Sequence, residues 1–75
     1  GKIKMSKYRI VTTLYYIVHM VKNREFMFVR FYDEDYGKGQ CGARLIEDKY
    51  CKPFKDDGWE ILTVERQFTT KTVYN

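Results

Sequence analysis

The sequence predicts a small α+β domain of order β-β-α-β, in which one helix packs on an antiparallel sheet of long, bent strands. Three observations lead there. Long runs of β-branched and aromatic residues stand at both ends of the chain, a short polar break interrupts the first, and helical spacing appears only between two glycine-containing loops.

The first strand is expected over Lys7–Val21 (KYRIVTTLYYIVHMV), which holds no helix breaker or capping residue. Lys22-Asn23-Arg24-Glu25 is polar and turn-like. Phe26–Tyr32 (FMFVRFY) resumes the strand pattern, so the two runs read as an antiparallel hairpin. Asp33–Gly39 (DEDYGKG) is a loop rich in acids and glycine. From there Cys41, Leu45, Ile46, Tyr50 and Cys51 recur at helical spacing, with Arg44, Glu47, Asp48 and Lys49 between them. A helix over about 42–52, ending near Pro53, fits this spacing. Lys55-Asp56-Asp57-Gly58 is a second turn, and Trp59–Tyr74 (WEILTVERQFTTKTVY) is strand again.

The length of 75 residues allows one domain, assigned to 7–75, with Gly1–Ser6 as a flexible basic leader. Such a chain buries only about 60–65% of its unfolded surface. Large side chains compensate: seven Tyr, five Phe and Trp59. Strands of this length would span roughly 50 Å, whereas a compact chain of this size has a radius of gyration near 11 Å. They must therefore bend, with Thr12-Thr13 and Thr69-Thr70 as bend points, or split, or project and pair with a second chain. A homodimer is one expected solution.

The net charge of +4 is unevenly distributed. Residues 1–31 carry seven Lys or Arg against the single acid Glu25, a balance of +6, whereas residues 32–60 carry five against eight acids, a balance of −3. Two cysteines, Cys41 and Cys51, lie ten residues apart. On one helix that is about 15 Å along the axis, too far for a disulfide. Free thiols point to a cytoplasmic protein, and the run Leu14–Val21 is too short and too polar to span a membrane.

One helix can cover only one face of the sheet, so strand period decides what stays open. The more apolar set of the first strand is Tyr8, Ile10, Leu14, Tyr16, Val18 and Met20; that of the second is Met27, Val29 and Phe31. Seating these under the helix leaves Lys7, Arg9, Tyr15, His19, Phe26, Phe28, Arg30 and Tyr32 outside. Adding Arg24 at the turn, the expected binding face comprises Arg9, Tyr15, His19, Arg24, Phe26, Phe28, Arg30 and Tyr32, aromatic and basic together.

Residues 24–31 (REFMFVRF) partly match the RNA-recognition signature [KR]-G-[FY]-[GA]-[FY]-[ILV]-x-[FY]. Arg24, Phe26, Phe28, Val29 and Phe31 agree, and Glu25 and Met27 depart. In that signature the third and fifth positions, here Phe26 and Phe28, stack bases. The signature's family has the order β-α-β-β-α-β, which differs from the order read here. Gly37-Lys-Gly39-Gln-Cys-Gly42 is formally G-x-G-x-x-G. The chain is too short for the doubly wound fold, and Asp33, Glu34 and Asp35 would repel a phosphate. Asp33-x-Asp35 lacks the remaining calcium ligands of an EF-hand, since Gly37 and Arg44 occupy two of the required positions.

Catalytic inventory is thin. Ser6 is the only serine and His19 the only histidine, so neither a triad nor a zinc site can be assembled. The reading is a non-enzymatic binding module with no cofactor and no metal. It acts through protein contacts as an accessory or inhibitor protein, of the kind mobile elements encode, by the open face or a strand edge. The alternative is a single-stranded nucleic-acid binder using the same face.

Overall fold

The computed structural model describes residues 7–74; the leader at 1–6 lies outside them. Strands β1 (Tyr8–Lys22), β2 (Glu25–Tyr32) and β3 (Glu60–Tyr74) form one antiparallel sheet in the order β2-β1-β3. The helical residues between β2 and β3 cover one end of one sheet face. The molecule is thus a small α+β arrangement with β1 at its centre.

The hairpin closes tightly because Lys22 pairs with Glu25, leaving only Asn23 and Arg24 in the turn. Both have positive φ, 48° and 67°, the left-handed pair that matches the twist of the flanking strands. Asn tolerates this conformation well, whereas glycine is the usual occupant of the second position. Arg24 therefore stands at the hairpin tip, in the turn expected for it, at the margin of the sheet face.

The single helix expected over 42–52 is instead three short pieces. Ala43–Leu45 is α-helical, Ile46–Tyr50 is a π-helical turn, and Lys52–Asp56 is α-helical again. The wide turn is closed by the Cys51 N–H donating to the Ile46 carbonyl at 2.7 Å. Its physical reason is the sheet beneath. Ile46 and Cys51 are five residues apart, and at about 100° per residue an α-helix would point them about 140° apart. The π turn brings both inward, and both are fully buried. Pro53 does not end the helix. It sits in the first turn of Lys52–Asp56, where its missing N–H would have had no helical partner.

The last helical piece ends in a glycine cap. Gly58 has φ 95°; its N–H donates to the Lys55 carbonyl at 3.0 Å, and that of Trp59 donates to the Phe54 carbonyl at 2.9 Å. These are the two bonds of a Schellman motif, which places Phe54 and Trp59 together; both pack on the core. Trp59→Ala should therefore cost about 2–3 kcal/mol, the low side for a large aromatic because Trp59 is half-buried. Chemical denaturation checks this; an unchanged midpoint would show that the indole contributes nothing to the core.

The core is small: Val18, Met20, Phe31, Ile46 and Cys51 are buried, with Tyr16, Met27, Val29, Tyr36, Cys41, Tyr50, Phe54, Trp59, Ile61 and Val64 packed around them. A register shift on β3 supplies part of it. Thr63 opposes His19 but Ile61 opposes Met20, so Leu62 is the extra residue of a bulge and is 49% exposed. Ile61 packs on the core as a result.

Beyond this core the strands continue. β1 and β3 stay paired from Tyr8↔Tyr74 to Leu14↔Phe68, while β2 reaches only Tyr15. Thr12 and Thr13 pair in unbroken register with Thr70 and Thr69, so the expected bend points do not interrupt either strand. A two-stranded ribbon projects instead, giving extents of 65 × 27 × 14 Å and a radius of gyration of 17.6 Å. Tyr8 and Ile10, expected beneath the helix, are 55% and 59% exposed because the helical residues do not reach them.

Candidate binding face

Residues of odd number on β1 and even number on β2 point away from the helical layer, because their neighbours Val18, Met20 and Phe31 fill the core beneath it. The register arranges them in rows across the sheet. From β2 across β1 to β3, the rows are Phe26, Val21 and Glu60; Phe28, His19 and Thr63; Arg30, Ile17 and Glu65; and Tyr32, Tyr15 and Gln67.

Cross-strand contacts join the rows. Tyr15 and Tyr32 have ring centroids 5.4 Å apart, and His19 and Phe28 6.1 Å. The Arg30 guanidinium lies 5.2 Å from the Phe28 ring centre and 5.8 Å from that of Tyr15, bridging the two pairs. Cation–π contacts at exposed sites contribute about 0.5–1 kcal/mol each, enough to hold one long side chain down on the sheet. Phe26 and Phe28 are 76% and 52% exposed. The result is an aromatic ridge along β2 with a cation clamped in its middle.

Of the eight residues named from the sequence, Tyr15, His19, Phe26, Phe28, Arg30 and Tyr32 come together here. Arg9 shares the face but stands six residues beyond Tyr15, about 20 Å along the ribbon, and Arg24 is at the hairpin tip. Sequence reasoning missed Ile17 and Val21, which continue the same alternation between the rings. It also missed the third column, Glu60, Thr63, Glu65 and Gln67, because no local pattern reveals which strand lies beside β1 or in what register.

The glycine loop has a structural explanation. The Gln40 N–H donates to the Gly37 carbonyl at 2.8 Å, and the Tyr50 hydroxyl donates to the Gln40 carbonyl. Tyr36 stacks on Tyr50 at 4.6 Å. Gly39, at φ 75°, makes the sharp reversal. Among the described residues no group of three or more His, Cys, Asp or Glu side chains is placed to hold a metal ion. No helix among them is long and apolar enough to cross a membrane.

Cys41 and Cys51 are free, but not for the reason of helical spacing: Cys41 precedes the first helical residue. Burial pushes both thiols above their usual value, with Asp33 adding to the effect at Cys41; at Cys51 Lys55 opposes it and Glu47 adds to it. A raised pKa keeps the neutral thiol in the fold, so this contribution is complete below the unfolded value and is lost as pH rises from about 9 through the folded value. Thiol titration should find Cys51 unreactive in the native protein, Cys41 slower than a free thiol, and both fast in denaturant. A fast native Cys51 would mean that the helical layer lifts off the sheet.

No protein-family model, curated protein or solved structure matches the chain.

Proposed function

We propose that the chain is a non-enzymatic module that binds a protein partner through the open sheet face, working in the cytoplasm as an accessory or inhibitor protein. The carrying observation is the composition of the face by rows. Exposed Phe26 and Phe28, the Tyr15–Tyr32 pair and the clamped Arg30 lie along one side, and Glu60, Glu65 and Gln67 lie along the other. Aromatic and arginine anchors beside polar groups are the composition of an interface hot spot. Rigid rings lose little conformational freedom on binding, and Arg30 is already held over two of them.

The same rings favour a second reading, since bases stack on aromatics of open sheets. Charge separates the two. Only Arg30 among the joined rows is a permanent cation, and Glu60 and Glu65 oppose it, so a phosphate backbone crossing the sheet would meet two carboxylates for one cation.

The test captures partners on the immobilised domain from a nuclease-treated native lysate. Parallel titrations use single-stranded DNA and RNA at rising salt. The expected result is nuclease-resistant capture of a protein, abolished by Phe28→Ala and by Arg30→Ala and little changed by salt. Tight oligonucleotide binding would overturn the reading if its log K fell about 0.7 per neutralised phosphate per log unit of salt.

A further inference from the structure

On the side of the sheet that carries the helical residues, the projecting ribbon presents Tyr8, Ile10, Thr12 and Leu14 from β1 and Phe68, Thr70, Thr72 and Tyr74 from β3. None of these eight is charged. Arg9 and Lys71 alternate to the opposite face. The strip continues the core past the end of the helical layer, with Ile10 and Phe68 59% and 55% exposed and Tyr74 72%. A ribbon of two strands has little cohesion of its own, so a strip of this composition calls for a cover.

We propose that the cover is the same strip of a second copy of this chain, the two ribbons packing face to face and antiparallel about a two-fold axis. Three features favour this occupant. Residues 8–14 and 68–74 put no charge on this side. The nearest is Arg66, whose guanidinium lies 4.9 Å from the Phe68 ring centre at the base of the strip, where the overlap sets it against the uncharged end of the other copy, Tyr8 and Tyr74. The ends are complementary: Lys7 stands at the ribbon tip, just before Tyr8, and the turn Asp33–Asp35 follows Tyr32, the β2 residue that pairs with Tyr15 at the ribbon's base. Antiparallel overlap of residues 8–14 brings the cationic tip of each copy to the acidic base of the other, twice by symmetry. The area also suffices. Large side chains expose about 100 Å² or more each at this exposure, so Tyr8, Ile10, Phe68 and Tyr74 from both copies supply on the order of 1,000 Å², the lower bound for a specific interface. Pairing of this kind uses a different surface from the aromatic ridge, leaving two partner faces on the dimer.

Sedimentation equilibrium on the full chain at micromolar concentration tests the proposal. The expected mass is twice the 9.1 kDa of one chain, and Ile10→Glu or Phe68→Glu should each weaken dimerisation about thirtyfold or more. Both positions are exposed in the monomer, so native Cys51 protection should persist in either variant and certify its fold. Lys7→Glu should also weaken the dimer, and high salt should reduce the difference between Lys7→Glu and wild type. Phe28→Ala should leave the mass unchanged, which separates this result from the fate of the ridge. A chain that stays monomeric at high concentration would overturn the proposal. So would a dimer indifferent to Ile10→Glu and Phe68→Glu.

Discussion

Ile46→Ala is expected to destabilise the fold by about 2–5 kcal/mol, against a total of roughly 4–11 kcal/mol for a domain of this length. Ile46 is fully buried and is one of five buried hydrophobic side chains in the core cluster. It is the point at which the helical residues seat on Val18, Met20 and Phe31. The π turn exists to bring Ile46 and Cys51 down together, so its removal leaves a cavity that the helical layer cannot close without unwinding. Leu62→Ala is the control. It also truncates an aliphatic side chain, but Leu62 is the bulge residue and is 49% exposed, so its cost should be well below that of Ile46→Ala. Urea midpoints at constant slope measure both. Equal shifts would show that the helical layer is not anchored at Ile46.

Phe28→Ala is expected to lower affinity for the protein partner by about 2 kcal/mol or more, roughly thirtyfold, while changing stability by less than about 0.5 kcal/mol. Phe28 stands at the centre of the ridge, against His19 on one side and beneath Arg30 on the other. Its truncation removes a large ring and also frees the guanidinium. Val29→Ala is the counterpart one residue away. Val29 opposes Val18 and packs on the core, so its truncation should cost about 1–3 kcal/mol of stability and leave affinity alone. Reversal of the two outcomes would mean that the face presented to partners is the other one. Loss of folding in Phe28→Ala would mean that the ridge holds the sheet together.

The two effects illustrate which features local sequence carries. Strand alternation in FMFVRFY placed Phe28 and Val29 on opposite faces before any packing was known, because the pleat has period two. Asp56-Asp57-Gly58-Trp59 likewise carries its own stop: a glycine able to take positive φ, followed by a residue whose backbone N–H returns to the Phe54 carbonyl. In both cases the determining contacts lie within a few residues of chain.

Other features have no local origin. The spacing of Ile46 and Cys51 fits neither one face of an α-helix nor any simple period; only the sheet beneath makes the wide turn favourable. The Leu62 bulge follows from fitting Ile61 against Met20, residues forty-one positions apart. The third column of the open face depends on β3 pairing with β1 and on its register, and so does the choice between bent strands and a projecting ribbon. Composition and periodicity by themselves determined that the chain forms a small α+β domain with an antiparallel hairpin, and which side chains of that hairpin share a face. Strand order, the π turn, the bulge and the uncovered ribbon were decided by tertiary structure. Each depends on long-range pairing, whose energy is absent from any short stretch of sequence.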